Sequence, residues 1–275
     1  MLTKEQIDEF NENGVLVLRN FYNYEEEIKP IQYDIYNIIK LIIEKYKLDI
    51  PMEEFNGNNF DFSLMEILKI NRTYISEIYD AVKDSVSFNR LISTSKNEKV
   101  SKDVLMSTFV GVANGGSGIR IDLPHEEKFR TFWHQEYPAQ LKSLKGVVLW
   151  SPLVEVIPSL GPVEVCLHSH KNGVLPVFED KSDSRIGAYT LKLKNEKEII
   201  NNFFHVAPLS KPGDLILVNW LVIHQSGLNI SNKARWSMQM RYFDFLEPIG
   251  QKISWKGSFA KGIKFEEIHP ELLVK

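Results

Sequence analysis

Two histidines and one glutamate carry side chains that can ligate a metal ion. His134 and Glu136 are two residues apart, and His224 follows ninety residues after His134. An iron(II) ion can be held on one face by two imidazoles and one carboxylate, which leaves three positions open for other ligands. An oxygen-activating centre requires open positions, because a cosubstrate and dioxygen must both reach the metal. These residue types therefore favour a non-haem iron site.

Arg235 lies eleven residues after His224 and adds a second kind of binding group. A guanidinium offers a planar pair of donors to a carboxylate, which an ammonium cannot match. We therefore expect Arg235 to bind a carboxylate of the cosubstrate. A His-X-Glu triplet alone occurs by chance in many chains, and a single histidine or arginine is more often structural. The prediction of an iron oxygenase depends on all four residues occurring together.

All four residues lie in the second half of the chain, where short β-type runs are separated by Gly and Pro. The runs are Val104–Val112, Gly118–Leu123, Thr131–Tyr137, Lys145–Ser151, Pro162–Leu167, Asp214–His224 and Ala234–Asp244. They predict a sandwich or barrel of antiparallel strands. Side chains two apart on a strand share a face. A strand would therefore bring His134 and Glu136 together, and would place Ser226 on the side of His224.

The last of these runs alternates between polar and apolar residues. One face would carry Arg235, Ser237, Gln239 and Arg241, and the other Trp236, Met238, Met240 and Tyr242. A polar face towards the inside suits a ligand cavity, and an apolar face towards the outside suits packing beneath helices. We therefore predict that this strand separates a cavity from a helical layer.

The first hundred residues have helical spacing. Thr3 and Gln6 can form a capping box at the start of a short helix that runs to about Asn13. Gly14 suits the left-handed position after that helix. A long amphipathic helix is predicted from Tyr24 to Tyr46. Residues 63–94 are also predicted to be helical. The predicted buried positions of these two segments are Ile28, Ile31, Ile35, Ile38, Ile39, Ile42, Ile67, Leu68, Ile75, Ile78, Tyr79 and Val82.

No linker rich in Pro, Gly or Ser divides the 275 residues. We therefore predict one domain over 1–275, with a mostly helical flank at 1–100, a β core at 101–246 and a C-terminal extension at 247–275. The fold class is α+β with a mainly β core.

Composition and charge exclude several classes of partner and site. A net charge of −3 does not predict nucleic-acid binding. The single cysteine, Cys166, excludes an internal disulfide and favours a reducing compartment. The start of the chain has no secretory pattern and no apolar run is long enough to cross a bilayer. We expect a soluble, cytoplasmic protein that binds neither membrane nor nucleic acid; its oligomeric state is left open.

Several strings resemble the phytanoyl-CoA dioxygenase family. They are Trp133-His134-Gln135-Glu136-Tyr137-Pro138, Leu167-His168-Ser169-His170-Lys171, Lys211-Pro212-Gly213-Asp214, and His224-Gln225-Ser226-Gly227-Leu228-Asn229 through to Arg235; the segment from Leu2 to Leu18 also looks like that family's N-terminus. The resemblance implies an Fe(II)- and 2-oxoglutarate-dependent oxygenase that uses dioxygen. It also implies a double-stranded β-helix (jelly roll, cupin-like) with flanking N-terminal helices.

The same resemblance implies roles for individual residues. His134, Glu136 and His224 would be the iron ligands. Arg235 would bind the distal carboxylate of 2-oxoglutarate, with Ser226 beside it and Trp150 near the cosubstrate. The family usually has Asp where this chain has Glu136. A carboxylate of either length argues against a halogenase, which needs that coordination position vacated for a halide.

Further residues are candidates for the substrate pocket: Arg120, His170 and Arg241. His168 and His170 are two apart and form a rival metal pair, although His170 is better placed in the pocket or as a hydrogen-bond partner of a ligand. Arg120 and Asp122 share a face and can contact substrate or cosubstrate, or form a structural ion pair. We expect the loops at 52–62, 113–130 and 171–190 to shape the entrance.

The predicted reaction is hydroxylation, or another oxidation, of an unactivated C–H bond in a small molecule, with release of succinate and CO2. No basic approach path for a CoA thioester is evident, which favours a free metabolite or a sugar or lipid intermediate. Two alternatives remain open: a non-catalytic jelly-roll protein that binds a metal or small ligand, and a cupin-like metalloenzyme that does not use 2-oxoglutarate.

Overall fold

Helices form most of the first 105 residues. The computed structural model describes residues 1–113, 115–182, 191–257 and 264–274. The helices in this part are α1 (Lys4–Asn13), a π-helical turn (Tyr24–Ile28), α2 (Lys29–Tyr46), α3 (Leu64–Ile70), α4 (Arg72–Val82), α5 (Val86–Ile92) and α6 (Ser95–Leu105). None of the described helices has the length and apolarity needed to cross a membrane.

The strands lie mainly after residue 109. They are β1 (Val15–Leu18), β2 (Val110–Val112), β3 (Gly118–Asp122), β4 (Gly146–Pro152), β5 (Val163–Cys166), β6 (Val177–Glu179), β7 (Leu191–Leu193), β8 (His205–Val206), β9 (Leu215–Asn219), β10 (His224–Ser226) and β11 (Arg235–Asp244). Short helices follow or separate them: α7 (Tyr137–Gln140), α8 (Glu196–Ile200), α9 (Pro248–Lys252) and α10 (Phe265–Ile268), besides three single 3-10 turns.

Two antiparallel sheets form the core. The larger sheet has the order β1-β9-β4-β11-β2, with β3 also paired to β11, and the smaller has the order β10-β5-β8. Side chains from both sheets meet in one apolar cluster, with Val148, Trp150 and Ile216 from the larger sheet and Val163 and Val165 from the smaller. This is the predicted jelly roll with an N-terminal helical flank, and the fold prediction is confirmed.

The outer face of the larger sheet packs against the helices. Ile31, Ile35 and Ile39 of α2 belong to the same buried cluster as Trp236 and Met238 of β11. The alternation in β11 therefore sends its apolar side chains towards the helical layer, as the sequence predicts. Gln239 and Arg241 on the opposite face line an internal cavity.

The predicted ends of α1 are confirmed. The Thr3 hydroxyl accepts from the Gln6 backbone and the Gln6 side chain accepts from the Thr3 backbone, which is a capping box. Gly14 has φ 75°, the left-handed conformation that glycine adopts without strain. A Cβ at this position would lie 2.1 Å from the Val222 side chain, so the close approach also requires glycine. This contact holds α1 against the turn that precedes β10.

The predicted helical segment at 63–94 is three helices, α3 to α5, because polar caps divide it. The Asn71 side chain accepts from the Thr73 backbone N–H and starts α4, and the Ser85 hydroxyl accepts from Phe88 and starts α5. The prediction that Tyr79 is buried was wrong, since Tyr79 is 42% exposed. Ile38 and Leu68 are half-buried, and the other predicted positions of the two stripes are buried.

Three of the predicted strand segments need correction. The run at 104–112 begins as the end of α6, and β2 starts only at Val110. The run at 131–137 is not a strand, because it has only one isolated bridge, at His134, before α7 begins. The run at 214–224 is two strands, β9 and β10, which belong to different sheets. The short strands β6, β7 and β8 were missed.

The loop at 52–62 does not shape a cavity entrance as predicted. The Asp61 carboxylate accepts from the Trp236 indole N–H at 2.7 Å, and Phe60 packs edge-on against the same indole. This loop therefore lies on the outer, apolar side of β11. The predicted loop at 113–130 does contribute to the cavity through residues 115–120. Of the predicted loop at 171–190, residues 183–190 lie outside the described part of the chain.

Candidate metal centre

A backbone bridge places the two candidate histidines side by side. The His134 N–H donates to the His224 carbonyl at 3.0 Å, and the His224 N–H donates back to the His134 carbonyl at 3.0 Å. Directly opposed residues in such a pair have neighbouring side chains. The imidazole centroids are 4.3 Å apart.

Backbone carbonyls fix the tautomer of each imidazole. Nδ1 of His134 lies 2.8 Å from the Phe132 carbonyl, and Nδ1 of His224 lies 3.0 Å from the Val222 carbonyl. A carbonyl can only accept, so each Nδ1 carries the hydrogen and donates it. The Nε2 lone pair of each ring is then available to a metal ion.

Glu136 reaches the histidines from the start of a helix. Its backbone is αR (φ −68°, ψ −33°) at the N-cap of α7, where Pro138 occupies the first turn. Its Oε2 lies 3.9 Å from Nε2 of His134 and 3.9 Å from Nε2 of His224. One ligand atom from each residue lies within 4.8 Å of the other two, so the three side chains can hold one metal ion. The predicted convergence occurs, but strand alternation is not its cause.

The Glu136 carboxylate has two further partners. Its Oε1 accepts from Nε of Arg241 at 2.7 Å and from the Gln140 amide at 2.8 Å, and its Oε2 accepts from Nη2 of Arg241 at 3.2 Å. Burial opposes ionisation, but Arg241 and the two imidazoles outweigh it and lower the pKa of Glu136 to about 2. Burial lowers the pKa of His134 and brings that of His224 to about 3. A carboxylate and two neutral imidazoles are the forms that bind a metal ion.

Arg235 lies at the other end of β11 and is only 1% exposed. Its Nη2 donates to Ser226 Oγ at 3.1 Å and pairs with Asp122 at 2.7 Å, directly opposite on β3. Its Nε and Nη1 are buried without a hydrogen-bond partner among the described residues. Buried donors without partners are rare in folded proteins, and a carboxylate is an acceptor that would satisfy them. The donor set at this end of the strand therefore fits an organic acid.

Asp122 lies between two guanidinium groups. Arg120 Nη2 binds its other carboxylate oxygen at 2.8 Å, and the Arg120 Nη1 also donates to Thr131. Burial opposes ionisation of Asp122, but Arg120 and Arg235 hold its pKa well below its usual range. The predicted ion pair of Arg120 and Asp122 is therefore present, and it includes Arg235.

The sequence matches the family Phytanoyl-CoA dioxygenase (PhyH) over residues 10–237. The chain belongs to the phytanoyl-CoA dioxygenase family. The family predicted from the sequence is thereby confirmed, together with its class, a non-haem oxygenase that uses iron(II) and 2-oxoglutarate. A comparison with proteins of curated function finds no match.

Solved structures of similar fold include three enzymes. The epimerase SnoN of nogalamycin biosynthesis, in complex with Fe3+, alpha ketoglutarate and nogalamycin RO, is 12% identical with a TM-score of 0.57, over 90% of this chain and 86% of SnoN. EctD from S. alaskensis with 2-oxoglutarate and 5-hydroxyectoine is 16% identical with a TM-score of 0.56, over 95% of this chain and 80% of EctD. EvdO2 from Micromonospora carbonacea var. aurantiaca with 2-oxoglutarate is 15% identical with a TM-score of 0.53, over 89% of this chain and 91% of EvdO2. At these identities the likeness establishes the fold.

The candidate residues of this family member surround a cavity of about 250 Å³. His134, Glu136 and His224 line it, as do the predicted Trp150, Ser226, Arg120 and Arg241. Arg235 is not among the described residues that line the cavity, but the Ser226 hydroxyl to which it donates is. The three ligand candidates therefore share one cavity with Trp150 and Ser226, and Arg235 reaches the wall of that cavity only through its hydrogen bond to Ser226.

His170 is not among the described residues that line the cavity, so its predicted contact with the substrate has no support from the cavity wall. Its Nε2 lies 2.9 Å from the Asn11 carbonyl, and its ring packs near Gly14 at the end of α1. His168 has φ 65° and its Nδ1 lies 2.8 Å from the Glu12 carbonyl. Both histidines attach the turn after β5 to α1, which explains their position away from the metal candidates.

Gln140 and two lysines of the cavity wall were not predicted. Gln140 lies four residues after Glu136, which is the spacing of neighbours on a helix. Pro138 is a common start signal for a helix and would have indicated that spacing. Lys83, which follows α4, and Lys192 of β7 also line the cavity, and no local pattern in the sequence connects these two residues.

Proposed function

We propose that His134, Glu136 and His224 bind iron(II) and that Arg235, with Ser226 and Trp150 nearby, binds 2-oxoglutarate. The observation that carries this proposal is the convergence of two Nε2 atoms and one carboxylate oxygen within 4.8 Å. Two imidazoles and one carboxylate are the ligand set of iron(II) oxygenases that keep open positions. When bound, iron(II) with 2-oxoglutarate and dioxygen supplies the oxidising chemistry, with succinate and CO2 as coproducts.

The remaining residues hold this ligand set in one arrangement. The Phe132 and Val222 carbonyls orient the imidazoles, and Arg241 and Gln140 together hold the Glu136 carboxylate. Fixed partners of this kind set the direction and basicity of metal ligands. The longer side chain of Glu136 is thus anchored at Oε1, and its Oε2 faces the histidines.

The unpartnered nitrogens of Arg235 favour an enzyme that uses 2-oxoglutarate over a metalloenzyme of the same fold that does not. A buried guanidinium whose two nitrogens lack a partner among the described residues is costly unless a ligand satisfies it. Measurement of turnover distinguishes the proposed enzyme from a non-catalytic binding protein.

For the reaction itself we propose hydroxylation of an unactivated C–H bond in a small molecule. The cavity of about 250 Å³ supports a small substrate, since the cosubstrate must share it. SnoN and SnoK are described as an epimerase and a carbocyclase, so members of this fold carry out reactions other than hydroxylation as well. Mass analysis of the product distinguishes hydroxylation, which adds one oxygen atom, from desaturation or ring closure, which removes two hydrogens.

We propose that the chain forms one domain over 1–275, with the helical flank at 1–100, the β core at 101–246 and an extension at 247–275. The apolar cluster that α2 and β11 share supports a single domain. We also propose a cytoplasmic location, which the buried, unpaired Cys166 supports.

The proposed function is tested by adding iron(II) and 2-oxoglutarate to the metal-free protein without oxygen. We expect the metal-to-ligand charge-transfer band of a chelated 2-oxo acid, and coupled oxygen uptake and succinate release after air is admitted. His134→Ala should abolish the band. His125→Asn is the matched control, because His125 is exposed and in a left-handed conformation that Asn tolerates. A protein that binds iron but forms no band and releases no succinate contradicts the proposal.

A further inference from the structure

Gln239 lies on the inner face of β11 between the two arginines of the candidate site. Arg235 comes four residues before it and Arg241 two residues after it, so the three side chains share one face of the strand. Ser237 lies on the same face, but it is not among the described residues that line the cavity, whereas Gln239 is. Gln239 is therefore the residue through which β11 meets the cavity between its arginines.

Arg241 fixes the orientation of the Gln239 amide. Its Nη2 lies 2.8 Å from Oε1 of Gln239. A guanidinium has donors and no acceptor, so the amide oxygen must face Arg241, and a flipped amide would bring two donors together. The other end of the amide, Nε2 with two N–H groups, has no hydrogen-bond partner among the described residues. These donors are available to a molecule in the cavity.

Open space adjoins the Gln239 amide on one side. The residue directly opposite Gln239 is Gly118 on β3 and Trp150 on β4, and both line the cavity. Opposed residues of neighbouring strands present their side chains on the same face of a sheet. A Cβ at Gly118 would meet no heavy atom within 4 Å. The absent side chain of Gly118 therefore leaves room beside Gln239, with Trp150 on the other side.

A single nitrogen atom connects Gln239 to the candidate metal site. Nη2 of Arg241 lies 2.8 Å from Oε1 of Gln239 and 3.2 Å from Oε2 of Glu136, and it donates to both. Oε2 of Glu136 is the oxygen that lies 3.9 Å from Nε2 of each candidate histidine. The Gln239 amide is therefore a neighbour of the carboxylate oxygen that faces the metal position.

We infer that Gln239 binds the chelating carboxylate of 2-oxoglutarate, at the end opposite to Arg235. This inference rests on the proposed function, which assigns the distal carboxylate to Arg235 and the metal to His134, Glu136 and His224. A cosubstrate that joins these two points lies along the face of β11 that carries Gln239. Its chelating carboxylate uses one oxygen for iron(II), and the second oxygen accepts from Nε2 of Gln239.

The neutral amide suits this end of the cosubstrate. Iron(II) matches the charge of a carboxylate that it binds, so a neutral donor is sufficient there. The distal carboxylate has no metal beside it, and the guanidinium of Arg235 supplies the charge that it needs. The charge of Arg241 is matched by Glu136, so its contribution here is to orient the Gln239 amide.

Titration of the iron-loaded protein with 2-oxoglutarate, without oxygen, tests this assignment through the charge-transfer band. Gln239→Met keeps the length of the side chain and removes both donors. We expect it to bind 2-oxoglutarate about 10- to 100-fold more weakly, because a hydrogen bond to a charged group is worth about that factor. Gln239→Glu keeps an acceptor for Arg241 and adds a negative charge beside the chelating carboxylate, so its loss should be larger. Gln251→Met, at an exposed position of α9, is the matched control and should bind as the unaltered protein does.

A second ligand identifies the end of the cosubstrate that Gln239 contacts. The analogue 2-oxopentanoate keeps the chelating end and has a methyl group in place of the distal carboxylate. Gln239→Met should weaken the binding of both ligands by the same factor, whereas Arg235→Ala should weaken that of 2-oxoglutarate alone. A loss confined to 2-oxoglutarate in Gln239→Met would assign Gln239 to the distal end and overturn the inference.

Iron binding without cosubstrate shows whether Gln239 acts directly. Weaker 2-oxoglutarate binding at unchanged iron affinity supports a contact between Gln239 and the cosubstrate. An iron affinity that falls by the same factor would show that Gln239 acts through Arg241 and Glu136, and the inference would be wrong.

The band of the unaltered protein separates the two hypotheses. If it does not form, the proposed function fails. If it forms and Gln239→Met binds 2-oxoglutarate as tightly as the unaltered protein does, only the inference about Gln239 fails.

Discussion

The two arginines on the inner face of β11 have opposite environments. Arg235 and Arg241 are six residues apart on the same strand face, and each pairs with a carboxylate side chain that is 10% exposed or less. Arg241 donates to Glu136 through two nitrogens, and one of its N–H groups has no partner among the described residues. Arg235 donates through a single nitrogen, and its other two nitrogens have no partner among the described residues.

This difference shows how neighbours determine the role of a side chain. At one end of β11 the acid is a candidate metal ligand, and the guanidinium holds that acid in place. At the other end Asp122 is shared with Arg120, and the guanidinium of Arg235 keeps two nitrogens that lack a partner among the described residues and could bind a ligand. One residue type on one strand face can therefore serve a metal site at one end and an organic acid at the other.

Substitution of Arg235 should have the largest effect on function. Arg235→Ala removes the donors proposed for the distal carboxylate of 2-oxoglutarate. We expect a loss of 2-oxoglutarate affinity on the order of a hundredfold or more, because truncation of a buried charged donor costs about 2–5 kcal/mol. Iron binding should remain. Titration of the charge-transfer band with 2-oxoglutarate measures the first quantity, and iron binding without cosubstrate measures the second.

The control for this variant addresses folding. Arg235→Ala leaves Asp122 with Arg120 as its one remaining charged partner among the described residues, and an uncompensated buried charge is destabilising. The double variant Arg235→Ala with Asp122→Asn should recover part of the stability without recovering 2-oxoglutarate binding. Recovery of 2-oxoglutarate binding in the double variant would show that Arg235 acts on the fold and not on the cosubstrate.

Substitution of Arg241 should change the pH dependence of stability in the metal-free protein. The pKa of Glu136 falls from 4.5 to about 2 on folding, a difference worth about 3 kcal/mol. A lowered pKa stabilises the folded state above pH 4.5, and that contribution is lost as the pH falls towards 2. Arg241→Gln removes the strongest influence that lowers the pKa of Glu136, so most of the contribution should disappear.

Urea unfolding of the metal-free protein at pH 7, 5 and 3 measures this effect. The free energy of unfolding of Arg241→Gln should be lower than that of the unaltered protein by up to about 3 kcal/mol at pH 7. The difference should shrink at pH 3. A difference that is the same at all three pH values would show that Arg241 stabilises by packing and not through the charge of Glu136.

A smaller effect is expected at Gln140, which supports the same carboxylate with a neutral donor. Gln140→Ala removes the 2.8 Å hydrogen bond to Oε1 of Glu136. Loss of a partner that orients a metal ligand typically costs roughly 10- to 100-fold in metal affinity. We expect the lower end of this range, since Arg241 remains. Competition with a chelator measures the iron affinity.

Gln135 is the matched control for Gln140. Its amide donates to the Gly173 and Leu221 carbonyls and accepts from the Leu175 N–H, so it connects loops and does not contact Glu136. Gln135→Ala should therefore lower thermal stability and leave iron affinity unchanged. Equal losses of iron affinity in the two variants would contradict the role given to Gln140.

Most of the candidate site was predicted from the types of its residues. Strand β11 was predicted from its alternation of polar and apolar residues. The ten residues of β11 alternate regularly, and a long amphipathic strand is the kind of element that local pattern specifies. His134, Glu136 and His224 were identified because their side chains are suited to iron. Their geometry was predicted for the wrong reason, since a single backbone bridge and the start of α7 bring them together.

The rest of the site depends on contacts between distant segments. Lys83 follows α4 and Lys192 lies in β7, so only the fold places both at one cavity. His170 resembled a pocket residue in sequence, but the left-handed His168 before it turns the chain towards α1. Strands β6 to β8 have only two or three residues each, too few for a period-2 pattern to identify.

The smallest expected effect concerns a buried serine between the two arginines. Ser237 Oγ is buried without a hydrogen-bond partner among the described residues, so Ser237→Ala removes an unsatisfied group and should be neutral or stabilising by about 1 kcal/mol at most. Ser151, on the neighbouring strand, donates to the Asp214 carbonyl at 2.8 Å, and Ser151→Ala should cost about 1 kcal/mol. Urea unfolding compares the two variants. If Ser237→Ala proves the more costly, the Ser237 hydroxyl has a hydrogen-bond partner in solution. The polar side chains between Arg235 and Arg241 on the inner face of β11 then make more hydrogen bonds than the structure shows.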